Sequence, residues 1–454
     1  MRTIIKNGTI VRVDEKNKAD ILIENGVIQT ISSFIQPKQT DKVIDANNKY
    51  VLPGGVDPHT HLSNVGQADD FLTGTKAAAV GGVTSVINMN DQLSDGETLA
   101  QHVEKWKDKA ENSVIDYSFH EVIPGNLVSD KIISELPDLL EKGCTSLKLF
   151  TAYEDKMMND SNLYRVIKKA SKLGFTILVH AENGQIIDNL VENALQQQKT
   201  EPIYHALTRP PFVEAEATNR VLSIAEYTGA KMYIVHVTSA EAMEEVIASQ
   251  EKGVNVFAET CPQYLMLDDS YLNLDRKNSA KYICSPPLRK KKDQDKLWEG
   301  ISKGIISSIG SDHCALNLSG PKNMGETNFK EIANGMAGIE DRFLLTYHYG
   351  VQEKRIDIKK FVKIVSTEPA KIFGLSQKGS INVGKDADIV ILDPNKTKTI
   401  TEKKQYQNVD HNPYEGIKVK GSITNVFSRG EEIVKDNEYV GSEQRGNFLK
   451  RKNV

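Results

Sequence analysis

Between residues 50 and 310 the sequence alternates repeatedly between short apolar runs and longer amphipathic stretches. Apolar runs of strand length that alternate with helical segments pair in parallel, with helices covering both faces of the sheet. The runs are Tyr50–Val56, Thr84–Asn88, Ile115–Phe119, Ser146–Phe150, Thr176–Val179, Met232–Val235, Val254–Ala258 and Ser307–Ile309. Helical spacing fills intervals at Leu99–Ala110, Asn162–Lys172, Glu214–Tyr227, Ala240–Ser249 and Asp293–Ile301. Eight strands in one such region predict an α/β fold, a (β/α)8 TIM-like barrel enlarged by loops. An open doubly wound sheet is the competitor, but no Gly-rich phosphate fingerprint follows the first strand.

The chain ends have a different texture. Thr3-Ile4-Ile5, Thr9-Ile10-Val11, Ala19–Ile23 and Val27-Ile28-Gln29 are short β-branched runs, and Asn7-Gly8 and Asn25-Gly26 between them predict hairpin turns. Similar strands return at Gly384–Asp393 and Ile423–Gly430. One small β-sandwich built from both ends is the expectation, with separate terminal modules as the alternative. The division expected is 1–50 and 375–435 for the sandwich, 51–374 for the barrel, and 436–454 for a C-terminal arm or tail.

Barrel active sites form at the C-terminal ends of the strands, and the metal-binding residue types fall there. Leu52-Pro53-Gly54-Gly55-Val56-Asp57-Pro58-His59-Thr60-His61-Leu62 carries two imidazoles one residue apart, on one side of an extended backbone. Lys148 lies late in the fourth run, His180 and His236 end the fifth and sixth, and Asp312 follows the eighth. A lone histidine at a strand end reads as a hydrogen-bonded core residue. Candidates at five strand ends of one barrel predict a metal centre. Lys148 is costly to bury as an ammonium, so burial lowers its pKa. It either pairs with a buried carboxylate or, as a neutral amine, captures carbon dioxide as a carbamate. The carbamate would bridge two divalent ions, and four imidazoles with one aspartate would suit two zinc ions.

The formal net charge of -4 leaves no nucleic-acid footprint. No run approaches the roughly 20 apolar residues that span a bilayer, and the first residues lack a signal-peptide core. Cys144, Cys261, Cys284 and Cys314 form no CxxC pair, which argues against disulfides and zinc knuckles. A cytoplasmic protein without membrane or nucleic-acid partners is expected. Cys314, two residues after Asp312, is the one cysteine near the predicted site.

Several longer blocks accompany these residues: Asp70–Ala79, His180-Ala181-Glu182-Asn183-Gly184, Pro202–Pro211, Glu259–Leu265, Ser285-Pro286-Pro287-Leu288-Arg289, Gly310–Cys314 and Asn334-Gly335. With them the chain resembles the cyclic amidohydrolases, and within these the dihydropyrimidinase/D-hydantoinase branch, nearly end to end. The resemblance implies that His59 and His61 bind the more buried zinc and His180 and His236 the more exposed one. Carbamylated Lys148 would bridge both, and Asp312 would complete the buried site and shuttle a proton. Tyr153 falls where the family keeps a tyrosine that hydrogen-bonds the developing oxyanion. Ser285 and Asn334 fall where main-chain groups hold the amide edge of the ring. The implied reaction is attack of a dizinc-bridging hydroxide on a dihydropyrimidine or 5-substituted hydantoin, giving an N-carbamoyl amino acid. The family also implies a homotetramer, with C-terminal segments often helping to hold the subunits.

The loops depart from the family pattern. After His61 the run Leu62–Asp70 is shorter and more polar than usual, and Glu154–Asp160 after Tyr153 differs from the family's usual apolar version. Met336-Ala337 stands where Gly-Pro is common. Dihydroorotase usually has an arginine where Ser63 stands, and allantoinase usually lacks the tyrosine found here as Tyr153. A non-catalytic dihydropyrimidinase-like scaffold would have lost metal ligands. Other cyclic amides or ureides remain alternatives as the substrate ring.

Overall fold

The computed structural model describes residues 2–91, 93–325 and 327–453. The chain opens with β1 (Arg2–Val11), β2 (Lys16–Glu24), β3 (Val27–Ser32), β4 (Lys42–Asp45) and β5 (Tyr50–Pro53). Eight strands follow: β6 (Gly55–Thr60), β7 (Val83–Asn90), β8 (Asp116–Val122), β9 (Ser146–Phe150), β10 (Thr176–His180), β11 (Lys231–Ile234), β12 (Val256–Thr260) and β13 (Ile306–Ile309). Beyond them lie β14 (Ile389–Thr399), β15 (Lys418–Ser428), β16 (Glu431–Lys435) and β17 (Glu438–Tyr439).

β6 to β13 form one parallel sheet in sequence order, with helices in the connections. The bridge between Thr60 and His313 brings the segment after β13 back onto β6, so the sheet is a nearly closed barrel. Its interior is filled by Val56, Ile87, Met89, Val122, Leu178 and Tyr233, and Phe373 packs into the same cluster. The other sheet, of nine strands, interleaves the two ends of the chain: β5 pairs in parallel with β1 and antiparallel with β14. Its core draws Ile5, Ile10, Ile21 and Val51 from one end and Ile389, Ile391 and Phe427 from the other.

Two local expectations are corrected. The single strand expected over 50–56 is two strands in different sheets, with the chain crossing from one to the other at Gly54. Asn25-Gly26 turns a hairpin, but Asn7-Gly8 is a bulge inside the continuous strand β1. Asn7, at φ 62°, is held by Asp20 and Asp45 at 2.9 Å each. A Cβ on Gly8 would lie 2.4 Å from Val51 Cγ2, so the residue that signals a turn serves close packing instead.

A buried charge cluster ties the barrel to the terminal sheet. Lys378 Nζ contacts Asp116 on β8, Asp386 and Asp388 at 2.5, 2.8 and 2.8 Å. Arg429 also pairs with Asp116. The three carboxylates have the spacing of a metal site, but the lysine already supplies the cation there. Lys378→Met is expected to lower stability by about 3 kcal/mol, because breaking a buried pair strands charge while Arg429 still faces Asp116. The midpoint of urea unfolding measures it. Beside this cluster the last residues lie along β8. Gly446 N donates to Ser113 O at 2.8 Å and Leu449 N to Tyr117 O at 2.7 Å. Arg451 is buried, with Nε on Ser118 Oγ at 2.9 Å.

Candidate metal centre

The barrel brings the ligand candidates to one cavity, all but Lys148 at or near the C-terminal ends of its strands. His59 lies within β6 and His61 one residue beyond its end. Lys148 is the middle residue of β9, His180 is the last of β10, and His236 and Asp312 follow β11 and β13. His236 and Asp312 have left-handed backbones, at φ 39° and 49°. Non-glycine residues held there cost about 1–3 kcal/mol each and cluster at functional sites.

His59 Nε2, His61 Nε2 and one oxygen of Asp312 face one another. Their separations are 3.3 Å between the imidazoles and 3.1 and 3.2 Å from each to Asp312 Oδ1. A tetrahedral ion with bonds of about 2.0 Å holds its ligand atoms about 3.3 Å apart. The donors therefore fit a divalent ion. His59 Nδ1 meets Glu259 Oε1 at 2.7 Å, which places its proton there and turns the Nε2 lone pair toward Asp312. Glu259 also accepts from Tyr233 OH at 2.8 Å and from His236 N at 3.2 Å.

The second pair has the same design. His180 Nε2 meets Glu182 Oε2 at 2.8 Å, and Arg209 Nη1 holds that oxygen at 3.0 Å. His180 Nδ1 is thereby turned toward His236 Nε2, 2.9 Å away. Burial pushes His236 well below the usual histidine pKa, with His180 and Lys148 adding to the effect. Burial also lowers His61 and His180, against their carboxylate neighbours. Neutral imidazoles are the form that ligates. Asp312 would be raised by burial, but His59 and His61 hold it down at about 2, as a carboxylate.

Lys148 is 1% exposed and makes no ion pair among the described residues. Its charge acts on His61, His180, His236 and Asp312, with which it lines one cavity. Burial brings its amine down to about 8. The alternative of a lysine in a buried salt bridge is not what the chain builds here.

These residues form the floor of a cavity of about 760 Å³. Tyr153, Ser285 and Asn334 line it with them. Tyr153 has a left-handed backbone at φ 70°, and burial keeps its hydroxyl protonated by raising its pKa. That hydroxyl also hydrogen-bonds the Ser285 side chain. Asn334 Oδ1 is buried with no partner among the described residues. At Gly335 a Cβ would lie 2.4 Å from Cys314 Cβ, so only glycine lets this loop close on the wall that Cys314 shares. The outer wall includes Asn64 and Gln67 from the loop after His61, and Asp155 and Lys156 from the loop after Tyr153. Lys156 reaches across to pair with Asp91.

Sequence reasoning assigned no role to Glu259, Glu182, Arg209 or Asp57. Asp57 Oδ1 accepts from Ser311 N at 3.0 Å, on the approach to Asp312. A buried acid inside an apolar strand, as in Val256–Thr260, was the available signal. Glu259→Gln is expected to weaken metal affinity about 10–100-fold with the fold intact, as for other carboxylates that orient a ligating histidine. Competition with a chelator of known affinity reads the loss.

The Amidohydrolase family profile matches residues 50–433. D-hydantoinase of Geobacillus stearothermophilus is 44% identical over 459 residues, covering 99% of this chain and 97% of the relative. D-hydantoinase of Ralstonia pickettii is 44% identical, covering 100% and 99%. The crystal structure of dihydropyrimidinase from Brevibacillus agri NCHU1002 superimposes with a TM-score of 0.97 at 43% identity, covering 100% of this chain and 99% of that one.

Proposed function

The chain belongs to the amidohydrolase family, in its dihydropyrimidinase/D-hydantoinase branch, and on that premise we propose that this cyclic amidohydrolase opens dihydropyrimidines or 5-substituted hydantoins to N-carbamoyl amino acids. The observation that carries this reading is the convergence of His59, His61, Lys148, His180, His236 and Asp312 on the floor of the cavity that Tyr153 overlooks.

In this reading His59, His61 and Asp312 would hold one zinc ion and His180 and His236 a second, and Lys148, once carboxylated, would serve both as a ligand. Such ions, when bound, lower the pKa of water and polarise a carbonyl oxygen. The remaining work falls to the chain. Asp312, held as a carboxylate, accepts the proton of the attacking water and returns it to the ring nitrogen. The C–O bond forms as the C–N bond breaks, and the nitrogen leaves neutral. Tyr153, held protonated, donates to the oxygen that gains charge. Main-chain groups at Ser285 and Asn334 hold the amide edge of the ring. The reading includes a homotetramer acting in the cytoplasm, and light scattering at assay concentration checks the assembly.

The polar wall of Asn64, Gln67 and Asp155 suits a substituent that donates hydrogen bonds. Allantoin, with its ureido group, therefore belongs among the rings to try. The test is turnover of dihydrouracil, hydantoin, a 5-aryl hydantoin, allantoin and dihydroorotate by zinc-loaded protein, with metal content measured on the same sample. Opening of dihydrouracil or a hydantoin with about two metals per chain supports the proposal. Metal without turnover of any of these rings sinks it.

A further inference from the structure

Lys322 lies outside the metal centre, in the segment after β13, and is 1% exposed. Its ammonium has three N–H donors. They go to Ala280 O at 2.8 Å, Ile283 O at 3.1 Å and Ala333 O at 3.2 Å. Among the described residues it makes no ion pair. Ile283 O also accepts from Gly335 N at 3.0 Å. One cation thus joins the segment ending in Ser285 to the one carrying Asn334, two stretches that line the cavity together with Tyr153. Burying an ammonium is costly, and burial brings this one down to about 8. A methylene chain would fill the same space without that cost, so the donors are the reason for a lysine here.

We propose that Lys322 is a positioning residue: it sets the register of the Ile283–Ser285 and Ala333–Gly335 segments and so governs how tightly the ring is held. The inference rests on the ring-opening reading above. Main-chain contacts to the amide edge exist before and during the reaction, so losing their register weakens substrate and transition state together.

Lys322→Met keeps an unbranched side chain one atom shorter and removes the donors. In the zinc-loaded enzyme KM for the best ring of the panel is expected to rise about tenfold or more, the effect of losing a charged hydrogen bond. Metal content should match the parent, and kcat should stay within about threefold. Hydrogen–deuterium exchange gives a readout that needs no turnover: amides of 281–285 and 333–336 exchange faster in the variant, and those of β6 to β13 do not. Lys322→Gln, with two donors, should fall between and carries the test if the methionine variant does not fold. A parent enzyme that opens no ring sinks the ring-opening reading, and the exchange contrast still decides for or against Lys322. Unchanged exchange in both segments, or an unchanged KM in an enzyme that turns over, overturns the proposal even if Tm falls.

Discussion

Lys148→Ala is expected to fold, to lose bound metal, and to lose ring opening with it, by about 10³-fold or more in kcat/KM. The side chain lines the same cavity as His61, Asp312, His180 and His236, and its charge acts on all of them. Alanine removes the one amine able to become an anionic ligand for both groups. What remains is two incomplete donor sets. Elemental analysis after dialysis reads the metal, steady-state kinetics read the turnover, and circular dichroism checks the fold. Lys148→Arg should be equally inactive, since a guanidinium stays charged and cannot take up carbon dioxide. Burial holds Lys148 at about 8, so an amine free to react is present near neutral pH. Reloading stripped enzyme in buffer depleted of carbon dioxide should be slow, and bicarbonate should restore it. Full metal and full turnover in Lys148→Ala would discard the bridging role.

Tyr153→Phe is expected to separate binding from chemistry. The ring packs against His180 at 5.1 Å between centroids, a contact that phenylalanine keeps. Metal content and KM should therefore change little. The hydroxyl is what the substitution removes, and one oxyanion donor is worth about 10²–10³ in kcat. A fall in kcat at constant KM and constant metal marks an interaction made in the transition state. An unchanged kcat would return Tyr153 to the status of a wall residue tied to Ser285.

The expectations that held were those with a periodic or a repeated signal. Apolar runs marked the barrel strands, which form one nearly closed parallel sheet in sequence order. The failures were local signals overruled by distant partners. Asn7-Gly8 has the composition of a hairpin turn, but β1 is clasped by β2 on one side and by β4 and β5 on the other, so the chain bulges and continues. Tyr50–Val56 reads as one apolar run, and nothing inside it reveals that Tyr50–Pro53 belongs to the terminal sheet. Glu259 shows only as an acid in an apolar run, and its role stays hidden because its partner, His59, comes from the opposite end of the barrel sequence. Lys322 looks like one surface lysine among many until three carbonyls close around it.

The terminal sheet has a consequence for how the protein is made. β1 to β5 leave the ribosome first, yet β5 has no antiparallel neighbour until β14 is synthesised near the other end of the chain. The loop to be closed is long, although its entropic cost grows only slowly with length. The first strands must therefore wait, with Ile5, Ile10 and Ile21 uncovered, while the barrel forms behind them. During translation the nascent chain carries an unfinished sheet edge ahead of a barrel whose β8 still lacks its cover of residues 446–451. Chaperones would find their substrate at that edge, and the last strands to be translated end the wait.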